Sequence, residues 1–195
     1  MKLIPITNAR TWKSEYVFKK CVNFKKKRME MNIFMKTLGH LLSCLSVNPE
    51  DKTLYKLVLK ENHGRAITGD PTALQIDYSR LIVSKGKLPM PKGLSAMSQE
   101  PGKLLFVWND NSASRGTRKS DYLFVALFHR ASQKWHFELN AALRSDCEFK
   151  MNSPSLEGQT VHIYAGFVSQ DRQRVSTSVY LGERQIMRIG SFLRA

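Results

Sequence analysis

Acidic side chains are scarce in this sequence. Aspartate and glutamate number 16 against 31 lysines and arginines, a formal net charge of +15. That deficit disfavours basic partners and favours anionic ones, whether nucleic acid, an acidic protein surface or anionic lipid. Cysteine is scarce too. Cys21, Cys44 and Cys147 are odd in number, widely scattered and without a CxxC pair, which excludes a disulfide framework and a zinc knuckle and leaves free thiols in a reducing compartment. No apolar run reaches the roughly eighteen residues that a membrane span needs. The opening "MKLIPITNARTWKSEYVFKK" lacks the apolar segment and cleavage site of a signal peptide. The expectation is a cytoplasmic protein, alone or incorporated into a larger assembly.

Catalytic patterns are absent as well. The five histidines, His40, His63, His129, His136 and His162, show no ligand spacing and read as surface or strand-face side chains. "GRAITGDP" has two glycines but not the lysine and spacing of a phosphate-cradling loop. "NDNS", residues 109–112, gathers oxygens as a calcium loop would, yet it lacks the turn glycine and distal glutamate and suits ordinary turn chemistry. The expectation is therefore no enzyme, no catalytic residue, no cofactor and no metal.

What is present is a foldable chain of 195 residues, 42% apolar and 10% aromatic, in two parts with different periods. Over residues 11–46, Val17, Cys21, Phe24, Met31, Met35, Leu38 and Leu42 recur at steps of three and four, a helical seam interrupted by Arg28. Gly39 allows a division into two helices. Asn48, Pro49, Glu50 and Asp51 suit the start of a further helix that Gly64 ends. From Gln75 the period becomes two. "QIDYSRLIVSKGKLP" reads as one or two strands, "LLFVW", apolar at every position, as a central strand, and "DYLFVALFHR" as another. In "KWHFEL" and "CEFKM" one face alternates inward, with Trp135, Phe137, Leu139, Cys147, Phe149 and Met151. With "TVHIYAGFVS" and "VSTSVYLG" these make about seven short strands over roughly 110 residues, the requirement of an antiparallel immunoglobulin-like sandwich. The fold class expected is α+β, with a basic helical region at 1–65, a β-sandwich at 66–184 and an amphipathic tail at 185–195 that docks on the chain's own helices, the favoured reading, or on a partner.

"LPMPKGLSAMSQEPGKLLFVWNDNS" resembles the first hairpin of a fibronectin type III domain, which would make Trp108 the core tryptophan. "LEGQTVHIYAGFVS" is similar to that family's later corner, with Leu156 and Thr160 matching and His162 standing where a tyrosine would be. Residues 66–183 as a whole, and more weakly "NARTWKSEYVFKKC", resemble an uncharacterised bacterial family, with Ala9 in place of a proline and without the Gly-rich segment that precedes it there. That resemblance implies an N-terminal helical region followed by a sandwich and no known activity.

The strongest functional feature is the basic stretch Arg10, Lys13, Lys19, Lys20, Lys25, Lys26, Lys27 and Arg28, opposed only by Glu15. Lys13, Lys20 and Lys27 repeat every seven residues, and the stripe is expected to lie opposite much of the apolar seam. It can track phosphates, with Trp12, Tyr16 and Phe18 available to bases, or it can be a solvated helix face. Taken together, the sequence reads as a non-enzymatic structural or protein-interaction module that binds another protein or itself. A nucleic-acid binder using residues 10–28 is the alternative, and a glycan-binding sandwich using exposed Trp135 or Tyr164 is the third reading.

Overall fold

The computed structural model describes residues 9–70 and 73–189; within the first helix the side chains of residues 9–16, 18 and 19 also lie outside the described residues. Helix α1 (Ala9–Thr37) runs without a glycine or proline, and α2 (Gly39–Cys44) follows a one-residue break at Leu38. Helix α3 (Thr53–Arg65) starts later than the Asn48-Pro49 signal suggests. Asn48 instead accepts from the Glu50 N–H, and Asp51 takes the Thr53 N–H and hydroxyl, so the acidic pair forms a turn that leads into the helix. Gly64 lies within the last turn rather than beyond it.

A short hairpin, β1 (Ile67–Thr68) and β2 (Gln75–Ile76), leads into two antiparallel sheets. The three-stranded sheet has the order β3 (Ser95–Met97), β4 (Lys103–Val107), β7 (Glu148–Asn152). The four-stranded sheet has the order β6 (Lys134–Glu138), β5 (Tyr122–His129), β8 (Thr160–Val168), β9 (Val179–Gln185). These seven strands form the sandwich that the period of two implies. Leu104, Phe106 and Trp108 from one sheet meet Leu123, Val125, Leu127, Val161, Ile163 and Phe167 from the other in a shared core. Trp108 is buried, and its indole N–H donates to the Arg144 carbonyl at 2.8 Å.

The four-stranded sheet has a second buried face. Phe124, Ala126, Phe128 and Tyr164 pack beneath Met31, Phe34, Met35, Leu38, Leu41 and Leu42. This explains why "LFVALF" and "VHIYAGFV" are apolar almost throughout: strands covered on both faces have no solvated side. The expectation for "LLFVW" differs in outcome. Its Leu104 and Phe106 are buried, while Leu105 and Val107 are half-buried on the outer face of the three-stranded sheet. Gly166 has a specific reason within β8, since a Cβ there would stand 2.4 Å from the ring of Phe124, its partner across the ladder.

"QIDYSRLIVSKGKLP" forms less strand than its pattern implies. Beyond β2 it makes a 3-10 turn at Tyr78–Arg80, and then Leu81, Ile82 and Val83 are buried with side chains standing in for a strand partner. Fully buried Asn62 donates to the Ile82 carbonyl at 2.8 Å and accepts from its N–H at 2.9 Å. The Ser178 hydroxyl accepts from the Val83 N–H. Cys147 also departs from the alternation expected of "CEFKM": at φ 62° it closes the turn at Arg144–Asp146 before β7 begins. The described start of the C-terminal tail packs on the sandwich and not on the helices. Ile186 is buried in the inter-sheet core, and the Met187 N–H donates to Ser98 Oγ. Phe192 and Leu193 lie outside the described residues.

At one end of the sandwich the buried Arg144 closes the structure. Its Nε donates to Asp121 Oδ2 at 3.0 Å and its Nη1 to Asn111 Oδ1 at 2.7 Å, and the guanidinium lies 4.2 Å from the Phe167 ring centre. Both charges of the pair are wholly inaccessible to solvent. Removing one partner of such a pair strands the other, so Asp121→Ala should lower the unfolding free energy by about 3–5 kcal/mol. Chemical denaturation measures it; a loss under about 1 kcal/mol would place the pair in solvent. The shared core beneath the helices gives a second expectation. A fragment of residues 66–184 should bind a hydrophobic dye and lack a cooperative transition, because the outer face of β5 and β8 loses its cover. Cooperative, dye-free unfolding of that fragment would show the helices to be dispensable.

Candidate binding surfaces on the first helix and beside His162

The seam of α1 is buried only in its second half. Met31, Phe34, Met35 and Leu38 pack on the sheet, whereas Val17, Cys21 and Phe24 are exposed, Phe24 by 43%. The apolar stripe continues past the point where the sheet ends. Lysines share that face. Steps of four and three residues link Lys20, Phe24, Lys27 and Met31, so Lys20 and Lys27 flank the seam, while Lys26 lies opposite it as the sequence suggests. Lys20 and Lys25 flank an open, almost wholly apolar groove of about 510 Å³ formed with Cys21, Phe24 and Leu74. The Arg28 guanidinium lies 5.8 Å from the Phe24 ring centre. Lys27 is half-buried and paired with Glu30, while Lys20, Lys25, Lys26 and Arg28 are exposed. The side chains of Arg10, Lys13 and Lys19, and those of Trp12, Tyr16 and Phe18, lie outside the described residues.

A second surface forms where β8 turns its even-numbered residues toward the helices. His162, only 7% exposed, stacks on Tyr78 at 4.7 Å between ring centres, and Tyr78 stacks on Phe128 at 5.4 Å. The Arg130 guanidinium stands 5.5 Å from the Tyr78 ring. His162 Nδ1 and the Tyr180 hydroxyl are 3.0 Å apart. Nε2 is buried without a hydrogen-bond partner; the nearest carboxylate oxygen, on Glu183, is 3.8 Å away. Such an orphan costs about 1–3 kcal/mol. Burial pushes the imidazole below its ordinary value of 6.5, with Glu183 opposing and Arg130 reinforcing the shift. Burial raises the Tyr180 phenol, so it stays protonated near neutrality and is able to donate to Nδ1. These groups open onto a polar cleft of about 420 Å³, walled on one side by Lys27 and Glu30 of α1 and on another by Thr68 and Gln75 of the hairpin.

The remaining candidates sit apart from both surfaces. His40 lies against Phe137, His63 Nε2 meets Asn32 Oδ1 at 2.8 Å, and His129 Nδ1 meets Ser132 Oγ at 2.8 Å. Among the described residues no group of three His, Cys, Asp or Glu side chains is placed to hold a metal ion. In "NDNS", Asp110 accepts from the Ser112 N–H and Asn111 turns its oxygen to the Arg144 cation, so this turn caps the sandwich. The rings required by the glycan reading are not free: Tyr164 is fully buried with its hydroxyl on the Tyr78 carbonyl, and Trp135 is held under α1 by a bond from its indole N–H to Thr37 Oγ1. Sequence reasoning singled out His162 only as a stand-in for a tyrosine. Nothing in the spacing of residues 27, 68, 130, 162 and 180 signals that they share a cleft.

Helices followed by two facing antiparallel sheets, with a basic helix and a polar cleft at the sheet edge, define an α+β protein with a helix-covered sandwich. The chain belongs to a family of unknown function (DUF6266), whose model matches residues 22–182. That match spans the second half of α1 as well as the sandwich, so the helical layer is part of the family unit. No curated protein matches the chain.

The lowered His162 value has a definite sign. A histidine neutral in the folded state and titrating near 6.5 when unfolded stabilises the fold above that pH, and its contribution is lost as the pH falls through about 6.5. His63 and His136 are lowered by burial in the same direction. The lowered carboxylates, such as Asp77 and Asp110, act only near and below about pH 4. The melting temperature should therefore decline from pH 7.5 to 5.5, and His162→Gln should make that decline shallower. Thermal melts across this window decide it; an unchanged slope in the variant would mean that His162 is solvated.

Proposed function

We propose that the protein is a non-enzymatic structural or protein-interaction module whose first helix docks an acidic, amphipathic segment of another protein. One observation carries the reading: the exposed apolar groove of Cys21, Phe24 and Leu74 between Lys20 and Lys25. Its chemistry calls for an occupant with apolar side chains flanked by carboxylates. Between Tyr16 and Met29 the sequence carries no acidic residue beside those cations. A second copy of this chain is the poorer occupant, because two basic arms on bodies of net charge +15 repel one another. The sheet orders β3-β4-β7 and β6-β5-β8-β9 support the finer fibronectin type III-like reading, and from that fold an interaction role follows by analogy alone. Among the described residues no helix is long and apolar enough to cross a membrane. The three unpaired cysteines suit a reducing, cytoplasmic setting.

Nucleic acid is the outcome that would replace this reading, since Lys20, Lys25, Lys26 and Arg28 are all exposed. Fluorescence anisotropy with a designed Glu/Leu amphipathic helical peptide and with a 20-nucleotide single strand separates the two. The peptide should bind, and Phe24→Ser should weaken it about tenfold or more while the melting temperature holds, because an apolar anchor is lost from an exposed site. Reversing Lys20 and Lys25 to glutamate should weaken it as well. Tighter binding of the single strand, indifferent to Phe24→Ser and falling steeply with salt, would make the arm a phosphate-tracking helix. Arm-dependent dimerisation in sedimentation would make the occupant a second copy.

A further inference from the structure

We propose that the cleft beside His162 is a binding site for a small hydroxylated phosphate ester, with Arg130 and His162 receiving the phosphate. Three observations meet there. His162 is more than nine-tenths buried, opens onto the cleft and has no partner for Nε2. His162 Nδ1 and the Tyr180 hydroxyl are within hydrogen-bond distance, and the tautomer in which the hydroxyl donates puts the ring proton on Nε2, a donor in want of an acceptor. Arg130, at the same cleft, is exposed and engages the Tyr78 ring face, which leaves the edge of its guanidinium fork for a bidentate oxyanion.

The charges nearby allow an anion at that end. Of the two carboxylates on the cleft wall, Glu30 is engaged by Lys27, and Asp77 accepts from the Ser79 N–H and hydroxyl. Glu183 stands on the Nε2 side at 3.8 Å, too far to accept its proton. A phosphate suits the two donor groups better than a carboxylate does, because its three terminal oxygens serve a fork and a separate imidazole N–H together. Thr68 and Gln75 of the hairpin and Glu30 of α1 also line the cleft and offer donors and acceptors to hydroxyl groups. At about 420 Å³ the cleft is of small-molecule size. Binding here requires no chemistry of the ligand and is independent of the arm groove, whose residues Cys21, Phe24 and Leu74 it does not share.

The test uses the full chain, with glycerol 3-phosphate as probe and inorganic phosphate, succinate and chloride at matched ionic strength as comparisons. Imidazole 15N–1H spectra should show the His162 Nε2 signal moving with glycerol 3-phosphate, and calorimetry should give a saturable isotherm. Arg130→Gln, at an exposed side chain, should weaken binding roughly tenfold or more without altering the melting temperature of the free protein. Lys26→Gln, on the arm, should leave binding unchanged. Equal losses in Arg130→Gln and Lys26→Gln, or a His162 signal that never moves, would reduce the effect to general surface charge and overturn the site. Succinate binding as tightly as glycerol 3-phosphate would overturn the phosphate assignment.

Discussion

A cation buried beyond the reach of water constrains this fold more than any other feature. Arg144 lies in the connection that crosses from the four-stranded to the three-stranded sheet, and its hydrogen bonds tie it to three other residues along the chain. Its N–H donates to the Asp121 carbonyl, its Nε reaches the Asp121 carboxylate, its Nη1 reaches Asn111, and its carbonyl takes the Trp108 indole. Asp121 precedes β5 and Trp108 follows β4, so the two sheets are fastened through one residue. A buried ion pair is tolerated only where geometry and further hydrogen bonds compensate for lost hydration. The guanidinium face on Phe167 supplies part of that compensation. The abrupt stop of "LLFVW" at "NDNS" follows from it: the strand delivers its tryptophan to the core, and the polar run turns back to hold the arginine.

With the sandwich end fixed, the four-stranded sheet presents its other face to the helices. Phe128 is the hinge of that contact, meeting Phe34 edge-on at 5.0 Å, Trp135 at 4.8 Å and Tyr78 face to face. Because β5 and β8 serve two cores at once, a change in their register would disturb both. The helical layer ends at Met31, and the cleft begins in the next turn, at Lys27 and Glu30. Its position therefore follows from a mismatch in length: α1 outruns the sheet beneath it, leaving polar side chains at the rim and apolar ones beyond.

Much of the fold was legible in the sequence because it depends on periodicity. The three-four steps from Met31 to Leu42, the largely apolar runs of β5 and β8, and the placing of Trp108 in a core all follow from the requirement to bury one face or two. What was not legible depends on partners remote in the chain. The period alone does not reveal that Asn62 would replace a strand neighbour for Ile82, nor that Arg144 among "AALRSDC" is fully buried against Asp121. The same limit hid the cleft, whose residues come from α1, the hairpin, the end of β5, β8 and β9. The basic stripe was legible in composition, and in geometry Lys20 and Lys27 sit nearer the seam than expected. A seven-residue repeat advances two turns less about twenty degrees on a helix of 3.6 residues per turn, so Lys20 and Lys27 return to the seam instead of leaving it.

That geometry makes α1 an unusual surface helix. A helix that only covered a core would lose its apolar stripe where the core ends, since exposed Val17 and Phe24 gain nothing from water. Here the stripe continues and acquires cations instead of being replaced by them, with Arg28 lying against Phe24. The long stems of Lys20 and Lys25 suit the same design, for they line an apolar groove while keeping their ammonium groups solvated. The helix thus changes partner along its length, from the chain's own sheet below Met31 to an occupant that must bring carboxylates and apolar side chains together. Lys27, at the junction, finds its counter-charge in Glu30 on the same helix.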